Sequence, residues 1–435
     1  MDLQAETPAL PVSNNSDEDN LSTMTIIEKI IAAHAGKDKV KPGDAVWLEV
    51  DYRSARDFGG PNVVKQLRTH FPENPLESPD KTFFTFDTNA PANTTGYANN
   101  QHRCRIFARE YGAGLFDVDS GIGTHVAFEN GLVKPGNTAV GTDSHFNILG
   151  AIGAFGQGMG DVDIAYIFRS GRTWFDVPSS IKVELSGVPA ENVHAKDIAI
   201  YLLKVLGTTE ALGKAVEIYG PAVDNLDLAG RITLCSLATE AGAIAFLLPP
   251  SESVSGYYRE KHQTEVTQPM ADQDADYDKI YRYDISNLSP YISPPPTPNG
   301  GKPVSEVENV KVDSVFVGSC TNGRYKDFRA VADVLKGKKV AKGVMLKMVP
   351  ATREVFMQIL QDGTLADLAN AGAIMSQPGC GGCASGQIGM TGEHEVQLST
   401  SNRNFAGKQG LGETYLASPR TAAWTALRGV ICNED

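Results

Sequence analysis

The 435-residue chain reads as an α/β protein built on mostly parallel sheet. Three observations predict this. Apolar runs of strand length alternate with periodic stretches of helix length over much of the sequence. The strand-like runs end on polar turns at Asp87, at residues 121–125 and at Asp143 to His145, where ligands sit in parallel sheets. The length exceeds what one core fills and points to two to four domains.

The elements follow in order. Residues 1–24 are rich in Asn, Ser, Asp, Glu and Pro and contain no Lys or Arg. They have little apolar surface to bury and are expected to be disordered, as neither a secretory signal nor a transit peptide. A first domain is expected over 25–178. Thr25 and Glu28 have capping-box spacing, an apolar periodic run follows to His34, and Gly36 stops that helix. Residues 46–50 read as a strand, 62–70 as a helix, and 82–86 as a buried strand ending at Asp87. A helix is expected at 104–111, and strands at 114–118 and 138–141, the last ending on Thr142-Asp143-Ser144-His145. A second domain, 179–306, opens with a strand at 181–187 and a helix over 195–206. The proline-rich stretch 291–301 cannot be a core element and is expected to be an extended linker or a surface strap. A third domain, 307–435, opens with a strand at 312–317.

Bulk properties exclude several classes. Hydrophobic residues are 41% and charged residues 21%, as in an ordinary globular chain. A net charge of −13 argues against a nucleic-acid or anionic-membrane surface. Focused arginines can still hold a small anionic substrate. No apolar run reaches the ~18–20 residues of a membrane span. Six cysteines are too sparse for a disulfide scaffold, so a cytoplasmic, reducing compartment is expected.

Three of those cysteines stand in two short motifs, Gly318-Ser319-Cys320-Thr321-Asn322 and Pro378-Gly379-Cys380-Gly381-Gly382-Cys383. A CxxC alone fits a redox pair, half a zinc site or two inert thiols. A third cysteine at a strand end raises the odds of a metal or cluster without settling which. Small residues between the cysteines let the backbone turn and point amides at sulfur. Cys104, Cys235 and Cys432 fit packing roles. His394 is a candidate fourth ligand of a Cys3His zinc site, but zinc leaves Asn402-Arg403 unaccounted for. His34, His70, His194 and His262 read as solvated, and His102 as a neighbour of a helix cap. Asp161 and Asp163 suit a helix start. The glycines at 153, 156, 158 and 160 fail the context of a nucleotide loop and fit close backbone packing. The run 336–339 reads as a solvated loop.

Taken together, residues 318–322, the Cys380/Cys383 pair and Ser401-Asn402-Arg403-Asn404-Phe405 resemble the aconitase superfamily, and most of all the large subunit of 3-isopropylmalate dehydratase. Residues 39–44, 140–145, 230–235 and 415–422 support the likeness, which spans Met24 to Val430. The resemblance implies three α/β/α domains of the large-subunit type, with the swivel domain absent. It implies that Cys320, Cys380 and Cys383 hold a [4Fe-4S] cluster whose fourth iron is open, acting as a Lewis acid on a hydroxy-acid. It places Asp143, Ser144 and His145 in an active-site motif and Glu240 near the water position. Asp87 and His125 are carried over as further catalytic candidates. Arg403 becomes a substrate-binding arginine, suited to a carboxylate, with Lys408 assisting. The implied reaction removes and re-adds water across adjacent carbons of a hydroxy di- or tricarboxylic acid. The implied partner is a swivel-domain small subunit carrying a serine base.

Three positions depart from the family pattern. Thr88 follows Asp87 where histidine is usual, Thr124 stands at another histidine position, and Lys408 replaces arginine. Loss of an imidazole removes a proton carrier active near neutral pH. Lysine keeps the charge at 408 and loses the planar fork. The expected function is therefore a hydro-lyase retuned to another substrate. The alternative is a non-catalytic, cluster-binding paralogue.

Overall fold

The computed structural model describes residues 23–384 and 387–434. Residues 1–22 of the expected disordered tail lie outside that range, while Thr23 and Met24 are docked. The amide of Met24 donates to Asp272 Oδ2 at 2.8 Å. Thr25 and Glu28 then form the predicted capping box of the helix Ile26–His34.

Strands run in chain order through β1 (Ala45–Glu49), β2 (Tyr52–Arg56), β3 (Thr82–Thr85), β4 (Gly114–Phe116), β5 (Thr138–Gly141), β6 (Phe155–Gly158) and β7 (Arg172–Asp176). The five strands β2 to β6 form an all-parallel sheet in the order β4-β3-β2-β5-β6. β1 and β7 pair antiparallel as a separate ribbon. Next come β8 (Ser180–Ser186), β9 (Ala215–Tyr219), β10 (Ala245–Leu247) and β11 (Lys279–Asp284), a second parallel sheet ordered β10-β9-β8-β11. After a short antiparallel pair, β12 (Tyr291–Ile292) with β13 (Lys302–Pro303), the third parallel sheet contains β14 (Ser314–Gly318), β15 (Met345–Val349), β16 (Ala373–Met375), β17 (Val396–Ser399) and β18 (Glu413–Leu416). Its order is β16-β15-β14-β17-β18.

The first and third sheets share one winding. In each, the first strand lies centrally, the next two build outward on one side, and the last two build on the other. Such a sheet has a switch point between its first and fourth strands, where the connections diverge and leave a crevice. The switch points fall between β2 and β5 and between β14 and β17. One apolar core joins the first two sheets, with Phe146, Ile181, Leu203 and Phe246 among its members, and it reaches Cys320 and Cys380 at its edge. A separate core fills the third unit around Phe316's neighbours Val315 and Val317, Phe328, Leu346 and Leu398.

Several expectations change here. The connector 291–301 is not wholly a surface strap, because Ile292 is buried in the third core and Ser293 exchanges backbone hydrogen bonds with Leu416. His102 lies inside the helix Thr95–Tyr111 rather than beside its cap. His34 is not solvated: its Nε2 meets Asp51 Oδ2 at 2.8 Å. His262 and His194 are also partly buried, while His70 is exposed at a helix end. Asp161 and Asp163 do open a helix, Asp161–Ser170. The glycine run fits backbone packing, for a Cβ at Gly158 would lie 2.4 Å from the carbonyl oxygen of Asp143.

Candidate active site

The two switch points and one loop of the second unit meet at a small cleft. β2 delivers Arg56 and β5 delivers Asp143, Ser144 and His145. β14 leads into Cys320 and β17 into Arg403. Cys380, Cys383, Ala384 and Lys408 complete the lining. The cavity holds about 50 Å³, where a single water needs about 10–15 Å³ on the same measure. There is thus room for a group larger than one ion.

Local geometry explains how the cysteines get there. After β14 the chain turns sharply, with Gly318 at φ +149° and Ser319 at φ +74°. A Cβ at Gly318 would lie 2.4 Å from the carbonyl of Val349 on β15. Ser319 is a left-handed non-glycine residue, a strained conformation that surrounding structure must hold. The turn starts the short helix Ser319–Asn322 and sets Cys320 on the cleft. The second motif is anchored from across the cleft, with the amide of Cys380 donating to the carbonyl of Asp87 at 3.0 Å. Gln387 Oε1 accepts from the amide of Gly381 at 2.6 Å.

Arg56 ties these parts together, and sequence reasoning missed it. Its Nε donates to Asp87 Oδ1 at 2.6 Å, its Nη1 sits 3.1 Å from Asp143 Oδ1, and its Nη2 donates to Cys380 Sγ at 2.7 Å. No local signal marks it, because its role depends on three segments distant in sequence. Asp87 is fully buried behind Arg56 and also accepts from the amide of Gly123 at 2.9 Å. Burial pushes its carboxyl up to about 6, with Asp57 and Asp143 adding to the rise and Arg56 opposing it. Burial also works to raise Asp143, but Arg56 and His145 outweigh it and hold that carboxyl below the usual range.

The ring of His145 makes no hydrogen bond to Asp143, although the two share one motif. Only its backbone amide does, at 3.1 Å to Oδ1. The ring Nε2 instead meets Glu240 Oε1 at 3.0 Å. The same carboxylate oxygen accepts from Arg403 Nε at 2.7 Å. Burial raises the Glu240 carboxyl, and His145 and Arg403 together bring it below its ordinary value. Its second oxygen, Oε2, is buried without a hydrogen-bond partner among the described residues. Ser144 is exposed on the cleft wall and Lys408 is half-buried there.

His125 is placed elsewhere. It is fully buried on the helix Gly123–Glu129, with Nε2 on the carbonyl of Cys320 at 2.9 Å and Nδ1 facing Arg324 at 3.4 Å. Burial, with Arg324 adding, drops its pKa to about 3. A neutral imidazole locked onto a backbone carbonyl supports the Cys320 turn and does not replace a lost proton carrier in the cleft. Thr88 and Thr124 are buried too, and their hydroxyls lack partners among the described residues.

The donor set fits a thiolate-bound group. Among the described residues no cysteine forms a disulfide. Burial raises Cys320 and Cys380 well above the ordinary thiol range, and Cys383 adds to the rise at Cys320. Buried neutral thiols of this kind bind metal with release of protons. Hydrogen-bond donors are aimed at sulfur, from Arg56 to Cys380 and from Asn402 Nδ2 to Cys320 at 3.5 Å, as outer partners of sulfur ligands are. Among the described residues no three His, Cys, Asp or Glu side chains converge as a site for one metal ion. Cys320, Cys380 and Cys383 all line the one cavity. His394 lies on an exposed turn and is not among the cleft residues, so the zinc arrangement loses its fourth ligand.

Comparison with known proteins agrees in extent. The model of the aconitase family (aconitate hydratase) matches residues 28–309 and 300–429. The chain is 39% identical over 410 residues to the 3-isopropylmalate dehydratase large subunit 1 of Methanopyrus kandleri, covering 94% of this chain and 98% of that one. It is 36% identical over 414 residues to the probable methanogen homoaconitase large subunit of Methanothermobacter thermautotrophicus, with 94% and 97% covered. A 3-isopropylmalate dehydratase large subunit from Sulfurihydrogenibium is 39% identical over 416 residues, with 95% and 96% covered. Matches of that length leave no unit of the described fold outside the likeness, and the chain belongs to the aconitase family.

Proposed function

We propose that this chain is the large subunit of an iron–sulfur hydro-lyase of the 3-isopropylmalate dehydratase type, acting on a hydroxy di- or tricarboxylic acid. The observation that carries the reading is three free thiols around one polar cleft, two of them buried, with arginine and asparagine donors aimed at sulfur. Cys320, Cys380 and Cys383 would hold the cluster. Bound there, a [4Fe-4S] group would supply Lewis acidity toward the substrate's hydroxyl and carboxylate oxygens.

The chain's own residues do the rest. Arg403 and Lys408 present positive charge to the substrate carboxylates. Arg403 is oriented through its Nε by Glu240. His145, backed by Glu240 at 3.0 Å, holds the proton that the departing hydroxyl needs. Asp143 fixes the start of that turn through the amide of His145 and is itself neutralised by Arg56. The base for the carbon-bound proton comes from a small-subunit partner that closes over the cleft. Exposed Phe58, two residues after Arg56, and Phe405, two residues after Arg403, give such a partner apolar contacts. The relatives carry names for two different substrates, isopropylmalate and homoaconitate chemistry, so the substrate is assigned only as a class.

One observation favours the second reading, a cluster-binding protein without turnover. The hydroxyls of Thr88 and Thr124 are buried and unpartnered, so neither replaces the imidazole expected there. Anaerobic purification with a co-expressed small subunit separates the two. The expected result is a brown protein with about three to four iron per chain that dehydrates a 2- or 3-hydroxy di- or tricarboxylate. Glu240→Gln then lowers kcat by about 10²–10⁴ while iron content stays. A brown protein inert on every such acid supports the second reading, and a colourless one without iron overturns both.

A further inference from the structure

The helix Ala195–Leu206 carries Lys196 in its first turn, where the helix dipole disfavours a cation. The side chain is 1% exposed. Nζ donates to the carbonyl of Ser401 at 2.9 Å and faces Thr321 Oγ1 at 3.4 Å. Both partners are neutral, and Lys196 joins no carboxylate in an ion pair among the described residues. A buried ammonium in that state is unfavourable unless some anion compensates it.

The candidates for that anion are few. Glu240 and Asp327 are close enough to act on Lys196 electrostatically, as are Cys320 and Cys383. Glu240 divides one oxygen, Oε1, between His145 and Arg403, and its unpartnered Oε2 makes no hydrogen bond to Lys196. Asp327 is taken by Asn322 Nδ2 at 3.0 Å and by the amide of Arg324 at 2.8 Å. Neither carboxylate pairs directly with Nζ, and the two cysteines add negative charge beside it when they bind metal as thiolates. Both neutral partners of Lys196 also adjoin the site: Thr321 follows Cys320, and Ser401 precedes Asn402 and Arg403.

We propose that Lys196 is a positioning residue whose buried ammonium is the counter-charge of the thiolate-bound cluster, while its hydrogen bonds tie the Cys320 turn to the Arg403 loop. The inference rests on the cluster reading of the site. It carries a particular signature, because the same residue is a burden to the cluster-free chain and a support to the loaded one.

The test compares wild type, Lys196→Met and Lys196→Arg as full chains, each with and without iron and sulfide supplied anaerobically. Cluster-free Lys196→Met is expected to melt no lower than wild type, since methionine fills the space and removes an uncompensated charge. Loaded Lys196→Met is expected to lose its visible iron–sulfur absorbance to a chelator about 10–100-fold faster and to show a more negative reduction potential. Lys196→Arg, which keeps the charge, is expected to stay nearer wild type in potential. A Lys196→Met chain that melts normally yet takes up no cluster is the same result in its extreme form. Unchanged chelation rate and potential in Lys196→Met overturns the inference alone, as does a cluster-free variant that melts lower with a normal potential, which marks a mere strut. Wild type that takes up no iron overturns the cluster reading and this inference with it.

Discussion

Cys380 and Cys104 are both buried thiols, yet their neighbours assign them opposite fates. Cys380 receives a guanidinium N–H from Arg56 at 2.7 Å and opens on the cleft. Cys104 sits in an apolar core beside Phe84 and Phe107, where burial pushes its thiol up to about 12. On the proposed reading, replacing a cleft cysteine removes a ligand, while replacing Cys104 alters only packing. Cys383→Ser is expected to abolish cluster retention and Cys104→Ser to leave iron content at the wild-type level, read by iron and sulfide analysis after anaerobic purification. Equal loss from both undoes the ligand assignment. At this scale the motifs were legible because their residues are close together in sequence. Arg56 and Lys196 were not, since each is a single cation in an unremarkable strand end or helix start, and only the fold brings its partners to it. His125 misled for the converse reason: adjacency to Thr124 suggested a substitute imidazole, and the helix Gly123–Glu129 turns that ring away onto the carbonyl of Cys320.

Strands with short apolar runs, β3, β5 and β14, were visible as such, β8 showed through its alternation of apolar residues with Lys182 and Glu184, and the helix Ala195–Leu206 matched its periodicity. β2 was hidden because Arg53 and Ser54 are buried within it, which breaks the rule that buried strands look apolar. β7 was hidden because it pairs only with β1 and leaves Trp174 exposed. The turn after β14 shows what an element boundary contributes to the site. Ser319 at φ +74° costs about 1–2 kcal/mol relative to glycine, and Gly318 has backbone of β15 where a side chain would stand. Ser319→Gly is expected to raise stability by about 1 kcal/mol, and Gly318→Ala to lower it by roughly 1–3 kcal/mol, measured by denaturant melts of the cluster-free chain. The opposite order would show that the turn is not strained as described. A second boundary, where the helix Ile26–His34 meets the end of β1, predicts a pH dependence. Burial lowers the His34 pKa, but Asp51 and the carbonyl of Ile30 outweigh it, so the net shift is upward. Asp51 is likewise raised by burial and lowered further by His34 and the amide of Thr138. The raised histidine contributes stability fully below its unfolded value of 6.5, lost as pH rises through the folded value. The depressed aspartate contributes above its unfolded value of 3.8, lost as pH falls through the folded one. The pair is thus worth most in mildly acidic solution, roughly 1–2 kcal/mol. Asp51→Asn is expected to lower stability most near pH 5–6 and least above pH 8; a loss that is flat with pH would exclude the ion pair as the cause.

Across the whole molecule the cleft belongs to no single unit. Arg56 and Asp143 come from the first sheet, Glu240 and Lys196 from the second unit, and the cysteines with Arg403 from the third. Without a bound group, the contacts that join these units at the cleft are ion pairs and hydrogen bonds among buried charges. Such pairs hold geometry while adding little net stability, because desolvation offsets their attraction. A cluster bound to three thiolates changes this balance. It binds only the folded arrangement, so its binding free energy adds to folding. It would also add negative charge beside Lys196 of the second unit and beside Arg56 of the first, which already pairs with Asp87 and Asp143. Loading is therefore expected to act between units and not only within the third. Anaerobically loaded protein should melt several degrees higher than the cluster-free chain. Hydrogen exchange should slow at the Cys320 turn and at residues 399–404, and also at the ends of β2 and of β5. Protection confined to the third unit, with the β2 and β5 ends unchanged, would mean that the first sheet merely lines the cavity and that Arg56 does not couple it to the cysteines.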